Sequence, residues 1–518
     1  MMLPLRLLVT RRFHNQWVAR ATCPSLRATS PAEARRQTSR VASARLDKVP
    51  VQAWSASCRP EQAGSLFHLT LGCLLLLAAS ALADGRNTCD SAALTNNWPQ
   101  WRGPLANGVA PHANPPIRWS ETNNVRWKIP LPGKGHSSPI VFGDAVYLLA
   151  ALPVGEAQKP VHDDAPGVHD SVPVTHRHQF VALAISRRDG SVLWQKVLRE
   201  EWPHEGGHVT GSLASNSAVT DGEHLYVFFG SRGLYCLDLT GELKWSKDLG
   251  RMHTLHAHGE GSSPVLYGDM LIVCWDHEAD SYLYAFDKRT GKQLWKVARD
   301  EKTSWSTPLV VEHEGKPQLI VSATKRVRGY DLATGTQLWE CAGLTDNVVS
   351  SPVYTDGVVI AGNSYYQQAM LAIRLAGAKG DITGTDRVAW KLNRMTPYVS
   401  SPLLYGDTLY FLRHNQNILS RLEPTTGKPR GEALRLEGIT DFIFASPVGA
   451  AGRIYVTGRD GTTIVLRHDR ENATLAVNHL DDSFSASPAL AGRELYLRGE
   501  RFLYCIAEQQ PDGRKQGQ

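Results

Sequence analysis

From about residue 125 to the C-terminus, apolar and polar residues alternate in short runs. Gly, Asp and Asn clusters bound each run. A period of two in runs of this length predicts β-strands, and the bounding residues predict the turns between them. The runs repeat as a unit. It opens with Ser-Pro, two or three apolar residues, a Gly-Asp type turn and a second strand. A loop leads to a strand of the Leu-Tyr-Ala-Phe-Asp kind, then a Thr-Gly turn and a strand ending near Trp. The clearest copy runs from Ser263 to Trp295, SPVLYGDMLIVCWDHEADSYLYAFDKRTGKQLW.

Seven units open with Ser-Pro or Thr-Pro, at Pro139, Pro264, Pro308, Pro352, Pro402, Pro447 and Pro488, and an eighth opens at Asn216-Ser217 and runs to Trp245. Neighbouring starts lie 41 to 50 residues apart, except for a first gap of 78 that holds an insertion near 150–179. Four short strands per unit at this period are the signature of a β-propeller. The fold expected is all-β: an eight-bladed propeller of four-stranded antiparallel blades. Proline cannot donate to a strand ladder, so it suits the start of the innermost strand, which lines the channel and has one unpaired edge. The last unit stops at Leu503-Tyr504-Cys505-Ile506 without a fourth strand, and Asn124-Val125-Arg126-Trp127-Lys128 reads as a fourth strand without a blade. An N-terminal strand completing the last blade would close the ring and remove its open edges. The recurrent Trp127, Trp194, Trp245, Trp295, Trp339 and Trp390 are expected to pack between blades.

Composition agrees: glycine, tryptophan and tyrosine are plentiful, and methionine is scarce. The net charge of +6 is misleading, because residues 1–83 carry +8 and the rest −2. A near-neutral body offers no electrostatic reason to expect nucleic acid or acidic membrane as partner. Ser65–Ala83 is an apolar run ending in Ala-Leu-Ala and is expected to be a secretory signal peptide; it is short for a membrane span, which is the alternative. Residues 1–64, Arg- and Ser-rich, read as a disordered extension or as sequence upstream of a true start near Val49 or Val51. The expected domains are this extension, the signal at 65–83, an N-terminal segment at 84–124, the propeller at 125–507 and a disordered tail at 508–518. These features predict an exported protein of the periplasm or cell envelope, monomeric and with no stable span after cleavage. Five cysteines follow residue 83, with no CxxC and no adjacent pair, which argues against zinc ribbons and c-type haem. Cys236 and Cys505 stand where other repeats place alanine and read as small buried strand residues.

The copies SPVLYGD…LYAFDKRTGKQLW, SPLLYGDTLYFL and SPVGAAGRIYVTGRDGTTIVL, with the opening NWPQWRGP at 97–104, resemble the PQQ-type propeller repeats. Quinoprotein alcohol dehydrogenases and the propeller lipoprotein of the outer-membrane assembly machine share these repeats, and the likeness covers about residues 97–507. It implies fold more than function, because the repeat serves both enzymes and scaffolds. The dehydrogenase branch implies PQQ with calcium, two adjacent cysteines against the quinone, and a Glu, Asn and Asp ligand set with a catalytic Asp. The cysteine pair is missing here, and the other residues cannot be matched position by position. The lipoprotein branch implies a lipidated cysteine, and Cys73 lies inside the apolar run.

In an up-and-down blade, the loops between strands two and three share a face with the blade-to-blade connections, so that face is expected to carry the site. Its long loops supply His136, His258, Glu260, Asp276, His277, Trp305, Arg326, Tyr398, Arg413, His414 and Arg459 as ligand-binding candidates. The insertion adds His162, Asp163, Asp164, His169, Asp170, His176 and His178. The density of imidazoles permits a transition-metal site of His204, His208, His253, His256 and His258. No catalytic residue is identified. The reading is a binding or scaffold module of the cell envelope for an envelope protein, peptide or small molecule. The alternative is a periplasmic PQQ-dependent oxidoreductase of alcohols or sugars.

Overall fold

The computed structural model of the chain describes residues 91–160, 167–469 and 471–508. The N-terminal extension, the apolar run at 65–83, His162, Asp163, Asp164 and residues 509–518 lie outside the described residues. Eight antiparallel sheets follow one another. Blade 1 comprises Ile140–Phe142, Ala145–Val154, Arg177–Ser186 and Val192–Glu201. The innermost strands of blades 2 to 8 are Val219–Thr220, Val265–Tyr267, Leu309–His313, Val353–Thr355, Leu403–Tyr405, Val448–Ala450 and Ala489–Ala491. Blade 8 takes its outermost strand from Val125–Pro130, where Trp127 stands opposite Cys505 and Ile129 opposite Leu503. The ring is therefore closed by pairing the two ends of the repeat array. Among the described residues, blade 4 alone gains a fifth strand, Gly380–Asp381, which runs parallel to its outer strand Gln337–Ala342.

Two sets of contacts hold blade to blade. The first uses the outer-strand tryptophans. The indole N–H of Trp127, Trp194, Trp245, Trp295 and Trp390 donates to the carbonyls of Arg187, Leu239, Lys288, Leu332 and Pro424 in the next blade, at 2.9, 2.9, 3.0, 3.1 and 2.9 Å. Each ring lies on the glycine of that blade's last turn. At Gly291 (φ 67°) and Gly427 (φ 69°) an added Cβ would meet the ring at 2.8 and 2.7 Å. The Thr-Gly turn thus needs glycine both for its left-handed backbone and for the close approach of the indole. Trp339 departs from the pattern. The corresponding turn of blade 5, residues 375–387, is longer and lays Gly380–Asp381 against blade 4. With no small turn to rest on, Trp339 folds fully into the core over Gly329 and donates to Gln318 of its own blade at 3.1 Å.

The second set encircles the channel. The backbone N–H of Ser138 donates to Ser217 Oγ, Ser217 to Ser263, Ser263 to Thr307 and Thr307 to Ser351, at 2.9, 2.9, 3.0 and 3.1 Å. Ser351 then donates to Ser401, Ser401 to Ser446 and Ser446 to Ser487, each at 2.9 Å. The serine of the Ser-Pro repeat is therefore the acceptor for the preceding blade. The chain of bonds stops at the seam, where Ser138 Oγ is buried without a partner.

Residues 97–110 cross the ring at the end opposite the long loops. Trp98 exchanges backbone hydrogen bonds with Val141, and Thr220 N–H donates to Pro99. The buried Arg102 guanidinium donates to the carbonyls of Pro402 and Pro447, both at 2.7 Å. Gly449 exchanges bonds with Gly108 and Ala110 on the far side.

The hydroxyl ring yields a stability test. Ser446→Ala strands the buried Ser401 N–H, and an unmet buried donor costs ~1–3 kcal/mol. Ser446→Thr keeps the acceptor, as Thr307 does. Chemical denaturation should show a clearly lower midpoint for the alanine variant and a midpoint near wild type for the threonine variant.

Candidate functional site

The ring and its N-terminal crossing leave a blind channel of about 520 Å³ that opens on the long-loop face. Trp101 forms its floor, held by a hydrogen bond from its indole to Ser351 Oγ at 3.2 Å. Ser217, Ser263, Thr307, Ser351 and Ser487 line the lower wall with their hydroxyls. Above them lie Trp305, Tyr365, Tyr398, Phe442 and Phe444, with His136, His208, His258, Glu260, Asn347 and Arg459 between.

Six of the eleven ligand-binding candidates line this channel. The Trp305 indole is fixed by a 2.6 Å bond to Gly259 O. Tyr398 stacks between Tyr365 at 5.7 Å and His414 at 4.9 Å. Arg459 lies over the Phe444 ring at 5.0 Å and is 3.9 Å from both Asp441 and Glu500. Glu260 is committed to Ser231 N–H, Ser231 Oγ and Arg232 at 2.6, 2.6 and 2.9 Å. Gly230, at φ 58°, leaves room for that carboxylate, where a Cβ would collide. His136 Nε2 is buried in the wall without a partner.

The other five candidates do not line the channel, and other residues hold them. Asp276 and Arg299 form a fully buried pair through two bonds of 2.7 and 3.0 Å. His277 bonds Asp280 O through Nε2 and accepts His253 N–H on Nδ1. Arg326 is paired with Asp300 and Glu340, at 3.0 and 3.2 Å. Arg413 donates to Ser420 Oγ at 3.0 Å. His414 supports Tyr398 from behind.

The five metal candidates fall into two groups. His204 and His253 face each other beside Glu205, at a ring distance of 5.7 Å. His208, His256 and His258 gather instead around His169 at the channel mouth. His169 is 4.3 Å from His256, and His208 is 4.6 Å from His258. The alternation in His253–His258 splits between these groups because His256 takes a left-handed backbone, φ 61°. Trp101 was missed as a site residue, because the floor comes from outside the repeats. Asn347 was also missed: fully buried and left-handed at φ 58°, it faces Tyr398 without a hydrogen bond of ordinary geometry.

Electrostatically the channel is a neutral-imidazole site. Burial lowers His136 to about 3, helped by Arg498, Lys134 and Arg459, and lowers His258 to about 4. Burial also lowers His208, and it raises Tyr398 to about 12. At neutral pH these groups are therefore hydrogen-bonding or metal-ligating neutrals, and Arg459 supplies a positive charge partly offset by Asp441 and Glu500 at 3.9 Å.

The residues do not fit a pyrroloquinoline quinone with calcium. Cys236, Cys274, Cys341 and Cys505 sit singly in four different blades, buried, with thiols raised by desolvation. One wall guanidinium faces what would be three quinone carboxylates, and the channel's Glu260 is tied to Arg232.

The family described as outer membrane protein assembly factor BamB matches residues 178–430 and 279–510. No curated protein matches the chain. Among solved structures, BamB from Moraxella catarrhalis is 14% identical with a TM-score of 0.47, over 73% of this chain and 98% of that one. A quinohemoprotein alcohol dehydrogenase from Pseudomonas putida HK5 is 10% identical with a TM-score of 0.49, over 83% and 84%. A computationally designed protein, Ika8, is 12% identical with a TM-score of 0.45, over 68% and 98%.

Two measurements follow from the geometry. His136 and His258 have folded-state pKa values below the unfolded value of 6.5. Between about 6.5 and 4 the unfolded chain binds protons that the folded chain does not, so stability is full above that window and falls as pH drops through it. His136→Gln should make the fall shallower in denaturation curves taken from pH 7 to 4. Asp276→Ala leaves Arg299 buried and unpaired, which costs ~3–5 kcal/mol; calorimetry should show this loss with channel-ligand affinity unchanged. The repeat pattern, the ring it closes and the family match over residues 178–510 together place the chain in the family of the outer membrane protein assembly factor BamB.

Proposed function

We propose that this protein is a binding module of the cell envelope, and that its blind channel holds a peptide segment or a small molecule with a flat apolar face and an acceptor or acidic group. The observation that carries this reading is the channel itself. It is closed below by Trp101, walled by Trp305, Tyr365, Tyr398, Phe442 and Phe444, and supplied with neutral imidazoles and the Arg459 guanidinium. Stacking surfaces with a few convergent polar groups are what a concave binding site offers. Aromatic and Arg side chains in such a pocket carry most of the binding free energy.

The apolar run at 65–83, read as a secretory signal, supports the envelope setting. Among the described residues no helix is long and apolar enough to cross a membrane. The family's named role, outer-membrane protein assembly, gives a class of partner: an unfolded or extended envelope protein whose segment enters the channel mouth. A quinone-dependent oxidoreductase is the second reading, and the committed carboxylates and dispersed cysteines weigh against it.

The test uses tagged full-length protein and the envelope fraction of its host. Trp305→Ala and Arg459→Ala should each weaken capture of the bound species at least tenfold, while exposed Val192→Ser leaves it unchanged. Capture that does not depend on either channel residue would overturn the reading. So would a quinone absorption band with dye-linked alcohol oxidation on adding PQQ and Ca²⁺.

A further inference from the structure

Outside the channel, His204, Glu205 and His253 bring three donor atoms within 4.8 Å of one another. They come from two connections: His204 and Glu205 from the loop between blades 1 and 2, and His253 from the loop between blades 2 and 3. We propose that these residues form a site for a late first-row divalent cation, with Zn²⁺ as its simplest occupant, and that the ion staples the two connections together. The proposal is independent of what the channel binds.

Each donor is oriented by its surroundings as a metal ligand requires. His204 Nε2–H donates to Met252 O at 2.7 Å. This fixes the ring and its tautomer and leaves the lone pair on Nδ1, which is buried without a partner. Glu205 is nearly inaccessible. Its Oε2 accepts Thr254 N–H and Thr254 Oγ1–H, at 3.0 and 3.1 Å. Its Oε1 faces His253 Nδ1 at 2.9 Å. The carboxylate is thus aimed, and the side chain facing its Oε1 is an imidazole that is 61% exposed. A carboxylate this buried, with an exposed imidazole and an unpartnered imidazole nitrogen beside it, is suited to a divalent ion.

Two imidazoles and a carboxylate form a donor set that suits zinc and its neighbours, with distances of ~2.0–2.2 Å and a fourth position left open. Tetrahedral binding at those distances needs donor separations of about 3.4 Å, so the His253–Glu205 pair, now at 2.9 Å, must open slightly while the widest separation, within 4.8 Å, closes. The exposed His253 has the freedom to supply that movement. The ion takes the place of the hydrogen now shared by His253 and Glu205. His253 lies on the outer side, so the open position faces solvent, where water or a side chain of a bound partner completes the shell.

Full-length protein, stripped with chelator and dialysed, is titrated with Zn²⁺ by calorimetry. We expect one tight equivalent per chain and a raised unfolding temperature. Glu205→Gln and His253→Ala should each lower the affinity at least tenfold. His253 is largely exposed, so its variant should fold; circular dichroism of the apo proteins checks this for both. The double variant His208→Ala/His258→Ala should leave the tight equivalent in place. With Co²⁺ as the probe, the wild type should show a visible d–d band that His253→Ala removes. The proposal falls if the wild type binds no tight equivalent. It also falls if folded Glu205→Gln and His253→Ala bind as the wild type does, or if binding vanishes in the His208/His258 double variant, which would move the ion to the channel mouth.

Discussion

Every inner strand of a propeller faces an open axis, and the backbone amide two residues before it would be left without a ladder partner. Here that amide donates to a serine or threonine hydroxyl of the next blade, seven times in succession from Ser138 to Ser487. A proline in the next position removes one further donor that would need a partner. The Ser-Pro pair thus solves one problem twice, and it fixes how far apart neighbouring blades can sit. At the periphery five of the six outer-strand tryptophans do the complementary work, each resting on a neighbour's glycine turn and bonding a carbonyl there. Inner ring and outer ring together make the channel a fixed width, and the 97–110 segment turns it from a pore into a blind pocket.

The same hydroxyls serve the site. Ser351 accepts both the Thr307 amide and the Trp101 indole, so the atom that joins two blades also seats the floor. A ligand in the channel would therefore meet a lower wall whose hydroxyl oxygens already accept backbone amides. Recognition is left to the upper tier: Trp305, Tyr398, His136, His258 and Arg459. Burial keeps those imidazoles neutral, which suits hydrogen bonding to an uncharged ligand edge.

Much of this was legible in the sequence. The eight-fold count, the closure by the strand around Trp127 and the face that carries the long loops all follow from repeated local patterns. What escaped depends on partners distant in the chain. Trp339 has the same place in its repeat as Trp295, yet it turns inward because the turn of the next blade is longer. Asp276 and Arg326 look like exposed loop charges, but Arg299 and Glu340 claim them. His253 and His256 are three residues apart and belong to different clusters, since the backbone turns left-handed at His256 and Ala257. Trp101 lies outside every repeat, and its role depends on a segment crossing the ring, which no period announces.

The hydroxyl ring can be tested directly by amide hydrogen exchange resolved to single residues. The account predicts that the amides of Ser217, Ser263, Thr307, Ser351, Ser401 and Ser446 are among the slowest in the protein, exchanging only on global opening of the ring. Fast exchange at these amides, at rates typical of exposed loops, would contradict it.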